Sequence, residues 1–537
     1  MPNTAGHEPK GCAMIFRSPY PDIAIPKSPL TPVVLRHAAR LGDKPALIDG
    51  ASGRVLSYSQ LADDVCRAAT GLARRGFRKG EVLAICAPNI LEYAVAFHAA
   101  ASLGGVITTI NPLCTTDELA NRLRDSNAAY LLVAPDSLGQ AQAAVAASNV
   151  RELLVFGEAF EATSFASLLE GEDTCVPDVA IDAEEDLVAL LYSSGTSGLS
   201  KGVMLSHHNL VAGLYQLAAS EAISIDEVVF GILPFFHQYG LSIVNLVLSQ
   251  GATLVIMERF ELAGCLQAFQ MHGVTRAFLA PPVVISLAKH PTVDDYDLSE
   301  LRLIHSGGAP LGEAVGRRCA ERLDCLIKQG YALTEGYPAI RMGSADPAVN
   351  RISSVGRCVP NTECKVIDPK SGAELGPSQP GELWLRGPQV MQGYLRQPAE
   401  TAQMITADGW LRTGDMGFAD EDGYFTIVDR IKELIKYKGF QVAPAELEAV
   451  LLAHPAVADV AVIPSPDEDA GEVPKAFVVL RHESTADELM AYVATRVSPY
   501  KKVRRLEFVD QIPKSASGKI LRRVLVERER SAVLALV

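Results

Sequence analysis

A chain of 537 residues, 48% hydrophobic and 21% charged, is long enough for at least two domains of an ordinary globular protein. Its 63 acidic side chains outnumber 49 basic ones and leave a net charge of −14, which argues against a nucleic-acid binder working through a net basic surface. Local basic patches around small anions stay open, and the ten cysteines include no C-x-x-C pair. Cys319/Cys325 and Cys358/Cys364 match no common zinc spacing, so scattered buried thiols in a reducing cytoplasm are expected.

In chain order, MPNTAGHEPKGCAMIF lacks the apolar core of a signal peptide, and residues 1–14 read as a loose tail. LSYSQLADDVCRAATGLARRG (56–76) has helical spacing, with Ser59 as its expected cap. EVLAICAP (81–88) reads as a short strand. LEYAVAFHAAASLGGVITTI (91–110) is the most membrane-like stretch, but Glu92, His98 and Gly104–Gly105 interrupt it. A buried helix running into a strand is expected there, with no membrane span. AAYLLVAP, RELLVFG and ATLVIME repeat the strand signal between helical segments, which implies parallel sheets covered by helices.

YSSGTSGLSKGVMLSH (192–207) fails the Walker pattern, because Ser200 precedes Lys201 and Gly202 follows it. It still suits phosphate. Gly195, Gly198 and Gly202 let backbone N–H groups turn toward an anion. Ser193, Ser194, Thr196 and Ser197 add hydroxyls, and Lys201 adds charge. A bare surface turn is the alternative. PFFHQYG (234–240) holds His237 beside aromatics, a pattern more often found for a satisfied core histidine than for a catalytic one. SGGAP (306–310) follows the apolar strand LRLIH and permits close backbone approach to a flat ligand, or is a plain turn. In QGYALTEGYP (329–338), Tyr331 can stack on a base, Thr334 can donate to a phosphate and Glu335 can hold Mg²⁺. The alternative is an amphipathic helix start with Thr334 and Glu335 in its first turn.

Near residue 380 the texture changes. GELWLRG and DGWLRTGDMGFADEDGYFTIVDR read as antiparallel hairpins with Asp-Gly turns. Within them RTGDMG places Asp415 between glycines, where one carboxylate can accept from both hydroxyls of a ribose or serve a turn. After Arg430 comes an α+β unit of about a hundred residues, a typical small-domain size. Its helix begins at Pro444, and the boundary falls at 430–432, giving domains of 15–430 and 431–537. Lys436 and Lys438 in IKYKGFQVAP, and Lys519 in KSASGKILRR, read on their own as solvated basic surface.

Together these stretches resemble the adenylate-forming enzymes: acyl-CoA synthetases, peptide-synthetase adenylation domains and beetle luciferases. The resemblance runs from about Ile15 to Arg523. IFRSPYPDIAIP and KELIKYKGFQVAPAELE are most similar to the 4-coumarate–CoA ligase subgroup. It implies an α/β fold: a large N-terminal domain of parallel sheets covered by helices with a small β-barrel-like region, and a small mobile α+β C-terminal domain. For ATP and AMP it implies Ser193, Ser194, Gly195, Thr196, Ser197, Gly198, Lys201, Gln329, Gly330, Tyr331, Thr334, Asp415, Arg430, Lys432, Lys436 and Lys519. It sets His237 between the nucleotide and acyl pockets and gives Glu335 the Mg²⁺. The acyl wall it implies is Gln238, Tyr239, Ile243, Gly307, Gly308, Ala309, Gly330, Pro338, Ala339 and Met342. Arg259, Lys438 and Gly439 go to coenzyme A, and Lys432 to the hinge.

The reaction so implied is an ATP-dependent carboxylic acid–CoA ligation through an acyl-adenylate. Lys519, Mg²⁺ on Glu335 and the 193–202 loop offset the repulsion between two anions. The small domain then turns about Lys432 to exchange Lys519 for the Lys438–Gly439 segment. The acyl wall suits 4-coumarate or a related hydroxycinnamate, with medium-chain fatty acids as the alternative. Gln238, Ile243 and Ala339 depart from the subgroup's usual residues, as does Ala332, and Arg341 is expected to point outward. The rivals are a peptide-synthetase module, for which no carrier segment follows, a luciferase-like oxygenase, and a catalytically silent nucleotide-binding scaffold. Small-molecule substrates (acid, ATP, coenzyme A), no nucleic acid, a cytoplasmic location and a monomer or weak homodimer complete the expectation. The final LALV is no peroxisomal signal.

Overall fold

The computed structural model describes residues 14–171, 176–193, 200–343, 349–438, 440–467, 469–515 and 518–534. Two large sheets carry the first part of the chain. One has eight strands in the order 393–394, 201–206, 187–193, 106–110, 82–86, 128–133, 152–155, 163–164. The other has nine, in the order 357–358, 336–341, 326–333, 303–306, 276–279, 228–231, 253–256, 45–49, 55–57. Their central strands are parallel, as the alternation of apolar runs and helices requires, and antiparallel strands close both edges of the nine-stranded sheet and the 393–394 edge of the eight-stranded one. The stretch at 91–110 is a buried helix, Leu91–Ser102, feeding the strand Val106–Ile110. Among the described residues no helix is long and apolar enough to cross a membrane.

The helix expected over 56–76 spans Tyr58–Arg74, and its cap is Ser57 rather than Ser59. Ser57 Oγ accepts from Gln60 N–H, and Gln60 Oε1 accepts from Ser57 N–H at 2.9 Å, so the pair satisfies two orphan donors at once. Ser59, already inside the first turn, has no such partner.

The β-barrel-like region is a curled antiparallel sheet of strands 16–17, 363–367, 381–386, 411–419 and 425–430, with 374–375 at its side. This sheet therefore begins before residue 380, with 363–367 pairing 381–386 and 16–17. A fourth sheet joins 440–442, 435–437, 471–480, 457–467 and 505–508, backed by the helix Pro444–Leu452. The eight described cysteines are free thiols, most of them buried.

Contacts at both ends of the Pro444–Leu452 helix tie this last sheet and its helix to the rest. Asp429 Oδ2 accepts from Ala445 N–H at 2.9 Å, at the helix start. Lys289 Nζ donates to the carbonyl of Leu452 at 2.8 Å, at its end. Each charge sits at the helix terminus whose exposed backbone groups it complements.

Candidate active site

Within the 192–207 stretch the described residues belong to two antiparallel paired strands, Leu187–Ser193 and Lys201–Ser206, with Ser193 opposite Lys201. Ser194, Gly195, Thr196, Ser197 and Gly198 lie outside the described residues. Lys201 forms an ion pair with Glu400 and stands 5.0 Å from the centre of the Tyr394 ring. The Tyr394 hydroxyl donates to Glu335 Oε1 at 2.9 Å. Tyr394 and Glu400 thus join the lysine to the candidate metal carboxylate. Neither was foreseen in the sequence, because each lies about two hundred residues from Lys201.

QGYALTEGYP is not a helix start. Leu326–Leu333 and Gly336–Arg341 are antiparallel strands, with Leu333 opposite Gly336 and Thr334–Glu335 at the turn. That turn holds Thr334 half-buried and Glu335 buried at the sheet's end. Tyr331 donates its hydroxyl to Asp415 Oδ2 at 2.6 Å, and Arg430 Nε stands 3.4 Å from Asp415 Oδ1. Asp415 and Arg430 face each other across one rung of the 411–419/425–430 pair, so sheet register sets that contact. Burial raises the Asp415 carboxyl, with Arg430 pulling the other way. Gln329 is engaged with the backbone: it accepts from Leu311 N–H and donates to the Leu311 and Ile352 carbonyls.

Lys519 arrives from the C-terminal domain. Gly518 (φ +80°) brings the chain against Ala280 and Pro282, with room for a Cβ no nearer than 3.3 Å. There the Lys519 ammonium feels Arg430, Asp415, Glu335 and Glu433. Burial, then the Arg430 charge, lowers its pKa from the usual lysine value. Its own charge reaches His237, whose pKa is lowered to about 3, chiefly by burial. Lys519, His237, Glu335, Asp415 and Arg430 therefore share one site. Lys432 and Lys436 are exposed on the connecting turn and first strand. Lys438 is exposed with φ +47°, its N–H bound to the Ala470 carbonyl. Arg259 is exposed after strand 253–256, and Gly439 lies outside the described residues.

The acyl-wall residues come together beside this cluster. His237 ends the loop and caps the helix Gln238–Gln250, where Gln238, Tyr239 and Ile243 are buried. The Tyr239 hydroxyl donates to the His305 carbonyl at 3.3 Å, and its ring lies on the Gly307 backbone. A Cβ on Gly307 would stand 2.9 Å from that ring. Gly308 turns the chain with φ +87° before Ala309. Ala339 and Met342 are buried, and Pro338 follows a cis peptide bond. A Cβ on Gly330 would stand 2.7 Å from His305 Nε2, so this position admits no side chain without displacement. Arg341 does not point outward. It is 3% exposed, held inward by Glu221 and His305, partners far away in the chain.

A lysine on strand 201–206, an aspartate–tyrosine pair, a hairpin carboxylate and a lysine from the C-terminal part of the chain come together, a set with the chemistry to hold a nucleotide beside a second substrate. Residues 34–395 match the family described as AMP-binding enzyme, and residues 446–519 match its C-terminal domain. The chain belongs to the AMP-binding enzyme family. This AMP-binding enzyme is 45% identical over 523 residues to 4-coumarate–CoA ligase 5 of Oryza sativa subsp. japonica, covering 95% of this chain and 96% of that protein. It is 40% identical over 533 residues to 4-coumarate–CoA ligase 1 of Petroselinum crispum, covering 97% and 98%. The crystal structure of the anthranilate CoA ligase AuaEII in complex with anthranoyl-AMP superposes with a TM-score of 0.87 at 26% identity, covering 96% of this chain and 99% of that one.

Proposed function

We propose that this AMP-forming acid–CoA ligase acts on 4-coumarate or a related hydroxycinnamate. The observation that carries the reading is Lys519 set among Asp415, Arg430 and Glu335 and facing His237 at the edge of an apolar wall. In the first half-reaction the acid's carboxylate oxygen attacks the α-phosphorus of ATP, and the bond to pyrophosphate breaks. Asp415 and Tyr331 hold the nucleoside end, and Arg430 neutralises Asp415. Lys519 spans the two anions and offsets their repulsion, and the hydroxyls of the 193–198 stretch and Thr334 take phosphate oxygens. His237, kept neutral by burial, adds no charge where the carboxylate must pass.

Among the described residues no three metal-ligating side chains cluster. Glu335 keeps one carboxylate oxygen clear of its Tyr394 bond, which suits an ion held by one carboxylate plus substrate phosphates. Mg²⁺ fits that description and, when bound, would stabilise charge developing on pyrophosphate.

In the second half-reaction the sulfur of coenzyme A attacks the acyl carbon. The C–O bond to AMP breaks, and the thiol proton is lost to solvent. Rotation about Lys432 withdraws Lys519 and presents Lys438 and Gly439 opposite Arg259. The buried wall of Tyr239, Ile243, Ala339 and Met342 suits a planar apolar body, and two of the relatives above act by name on 4-coumarate. A cytoplasmic monomer or weak homodimer is the form in which we expect the enzyme to work.

The test is carboxylate-dependent ATP–pyrophosphate exchange over a panel of acids, followed by addition of coenzyme A. Exchange and thioester with hydroxycinnamates support the proposal. Exchange confined to aliphatic acids overturns the substrate. ATP binding with no exchange on any acid overturns the ligase itself.

A further inference from the structure

Behind the acyl wall lies a set of buried charges that neither half-reaction uses. Arg341 ends strand 336–341, with Nε 3.2 Å from Glu221 Oε1 and Nη1 2.8 Å from His305 Nε2. With Arg341 donating to Nε2, His305 is neutral and carries its proton on Nδ1, which stands 3.0 Å from Glu221 Oε1. Glu221 also takes Arg276 Nη1 at 3.2 Å, and Arg276 Nη2 reaches Glu227 at 3.0 Å. Lys328, 1% exposed, feels the same carboxylates. Three cationic side chains thus meet two carboxylates across a neutral imidazole.

A buried donor left without an acceptor is costly, and so is a buried charge without its counter-charge. Yet Arg341 Nη2 has no hydrogen-bond partner among the described residues, and neither has the Tyr337 hydroxyl. Both adjoin the acyl wall. A Cβ on Gly330 would stand 2.8 Å from Arg341 Nη1, and the guanidinium lies 5.9 Å from the centre of the Tyr337 ring. The Tyr239 hydroxyl feels the same charge. An unpaired N–H and an unpaired hydroxyl lie beside the Arg341 charge, and an anionic acceptor would satisfy both.

We propose that Arg341 is the specificity residue of the acyl site, and that it selects acids carrying a hydrogen-bond acceptor, best a second carboxylate, at the end remote from the reacting carboxyl. The proposal rests on the acid–CoA ligase reading of this site. On a cinnamate skeleton the order is para-carboxyl, then para-hydroxyl, then para-methyl. A carboxylate makes charge-assisted bonds, a phenolic oxygen accepts a weaker one, and a methyl group leaves Nη2 unpaired.

The test compares thioester formation by the full chain with 4-carboxycinnamate, 4-coumarate and 4-methylcinnamate. The kcat/KM for the para-carboxyl acid should exceed that for the para-methyl acid by about 10- to 100-fold, the range for a hydrogen bond to a charged group. Arg341→Met should bring that ratio to about one or below, and Arg341→Lys, a point charge without the guanidinium fork, should fall between Met and wild type. The readout is a ratio within each variant, so a loss of folding that lowers both acids alike does not imitate it. A wild-type ratio at or below one overturns the proposal and leaves the hydroxycinnamate ligase standing, whether or not the variants fold. If only aliphatic acids react, the same comparison is made with suberate against octanoate; a preference for octanoate overturns the proposal, and one for suberate supports it without the cinnamate. Turnover of no acid removes the ligase reading and this proposal together.

Discussion

On the nucleotide side of the site, polar side chains are tied to partners from distant parts of the chain. Lys201 meets Glu400, Tyr331 meets Asp415, Asp415 meets Arg430, and Glu335 meets Tyr394. On the acyl side, Gln238 Oε1, Ser306 Oγ, the Tyr337 hydroxyl and Arg341 Nη2 are buried without a hydrogen-bond partner among the described residues. A group already held by a neighbour keeps its place before a ligand arrives, which is the preorganisation that charge stabilisation needs. A buried group without a partner destabilises the empty pocket, and a ligand that satisfies it gains that much in affinity. On the proposed reading the chemistry is built on the rigid side and the choice of acid on the unsatisfied side.

The largest effect that can break this division is on Lys519. Lys519→Ala should lower acid-dependent ATP–pyrophosphate exchange by about 10²- to 10³-fold, the usual cost of removing one preorganised donor to developing charge. Thioester formation from preformed acyl-adenylate should largely survive, because that step is assigned to the other domain orientation. Equal loss of both would mean that one orientation serves both steps. Asp415→Ala should come next. It removes an acceptor from Tyr331 and the partner of Arg430, and should raise KM for ATP by about 10- to 100-fold with little change in selectivity among acids. A change in acid preference instead would show that the two sides are coupled.

The two sides also differed in how much of them the sequence disclosed. Nucleotide residues cluster in short stretches whose glycines, hydroxyls and lysines have a chemistry of their own, as at 192–207, 329–338 and 412–417. The parallel sheets, the later hairpins and the α+β unit followed from apolar periodicity. The acyl floor was not legible, because Glu221, Arg276, His305 and Arg341 lie on four separate elements and meet only through sheet order. Arg341, a charge beside Met342 of the apolar wall, is expected to point outward, whereas Glu221 and His305 hold it inward. The Thr334–Glu335 hairpin turn was not legible either: a helix start is the structure that local propensity offers there, and the strand pairing of 326–341 overrides it. Glu400 and Tyr394 were missed for the same reason: long-range partners leave no local signature.

A smaller effect sharpens the acyl side. Gly307→Ala places a methyl group 2.9 Å from the Tyr239 ring. The ring must move, and its bond to the His305 carbonyl moves with it. We expect kcat/KM for the bulkiest accepted acid to fall by about tenfold, the scale of one methylene in a fitted pocket, with KM for ATP within about twofold of wild type. A rise in KM for ATP of the same size would place Gly307 on the nucleotide side as well.

The smallest effect tests the neutral imidazoles that both the scaffold and the acyl floor require. His98, between Thr31 and Asn245, and His305, between Arg341 and Glu221, are fully buried, and burial lowers each to about 4 from the ordinary 6.5. The unfolded chain takes up these protons near pH 6.5 and the folded chain only near 4. The unfolded state therefore binds more protons between those values, and stability falls as pH drops through that window. It is complete above pH 6.5. Each histidine contributes a slope of at most about 1.4 kcal/mol per pH unit. The urea midpoint should be lower at pH 5.5 than at pH 7.5, with an unchanged m-value. His98→Gln and His305→Gln should each flatten that difference, and only His305→Gln should also alter the ratio of para-carboxyl to para-methyl acid. A pH difference that neither variant flattens would mean that both imidazoles bind their protons equally well in the folded and unfolded chain. The neutral bridge from Arg341 to Glu221 would then fail, and with it the account of why the acyl floor carries an unpaired N–H.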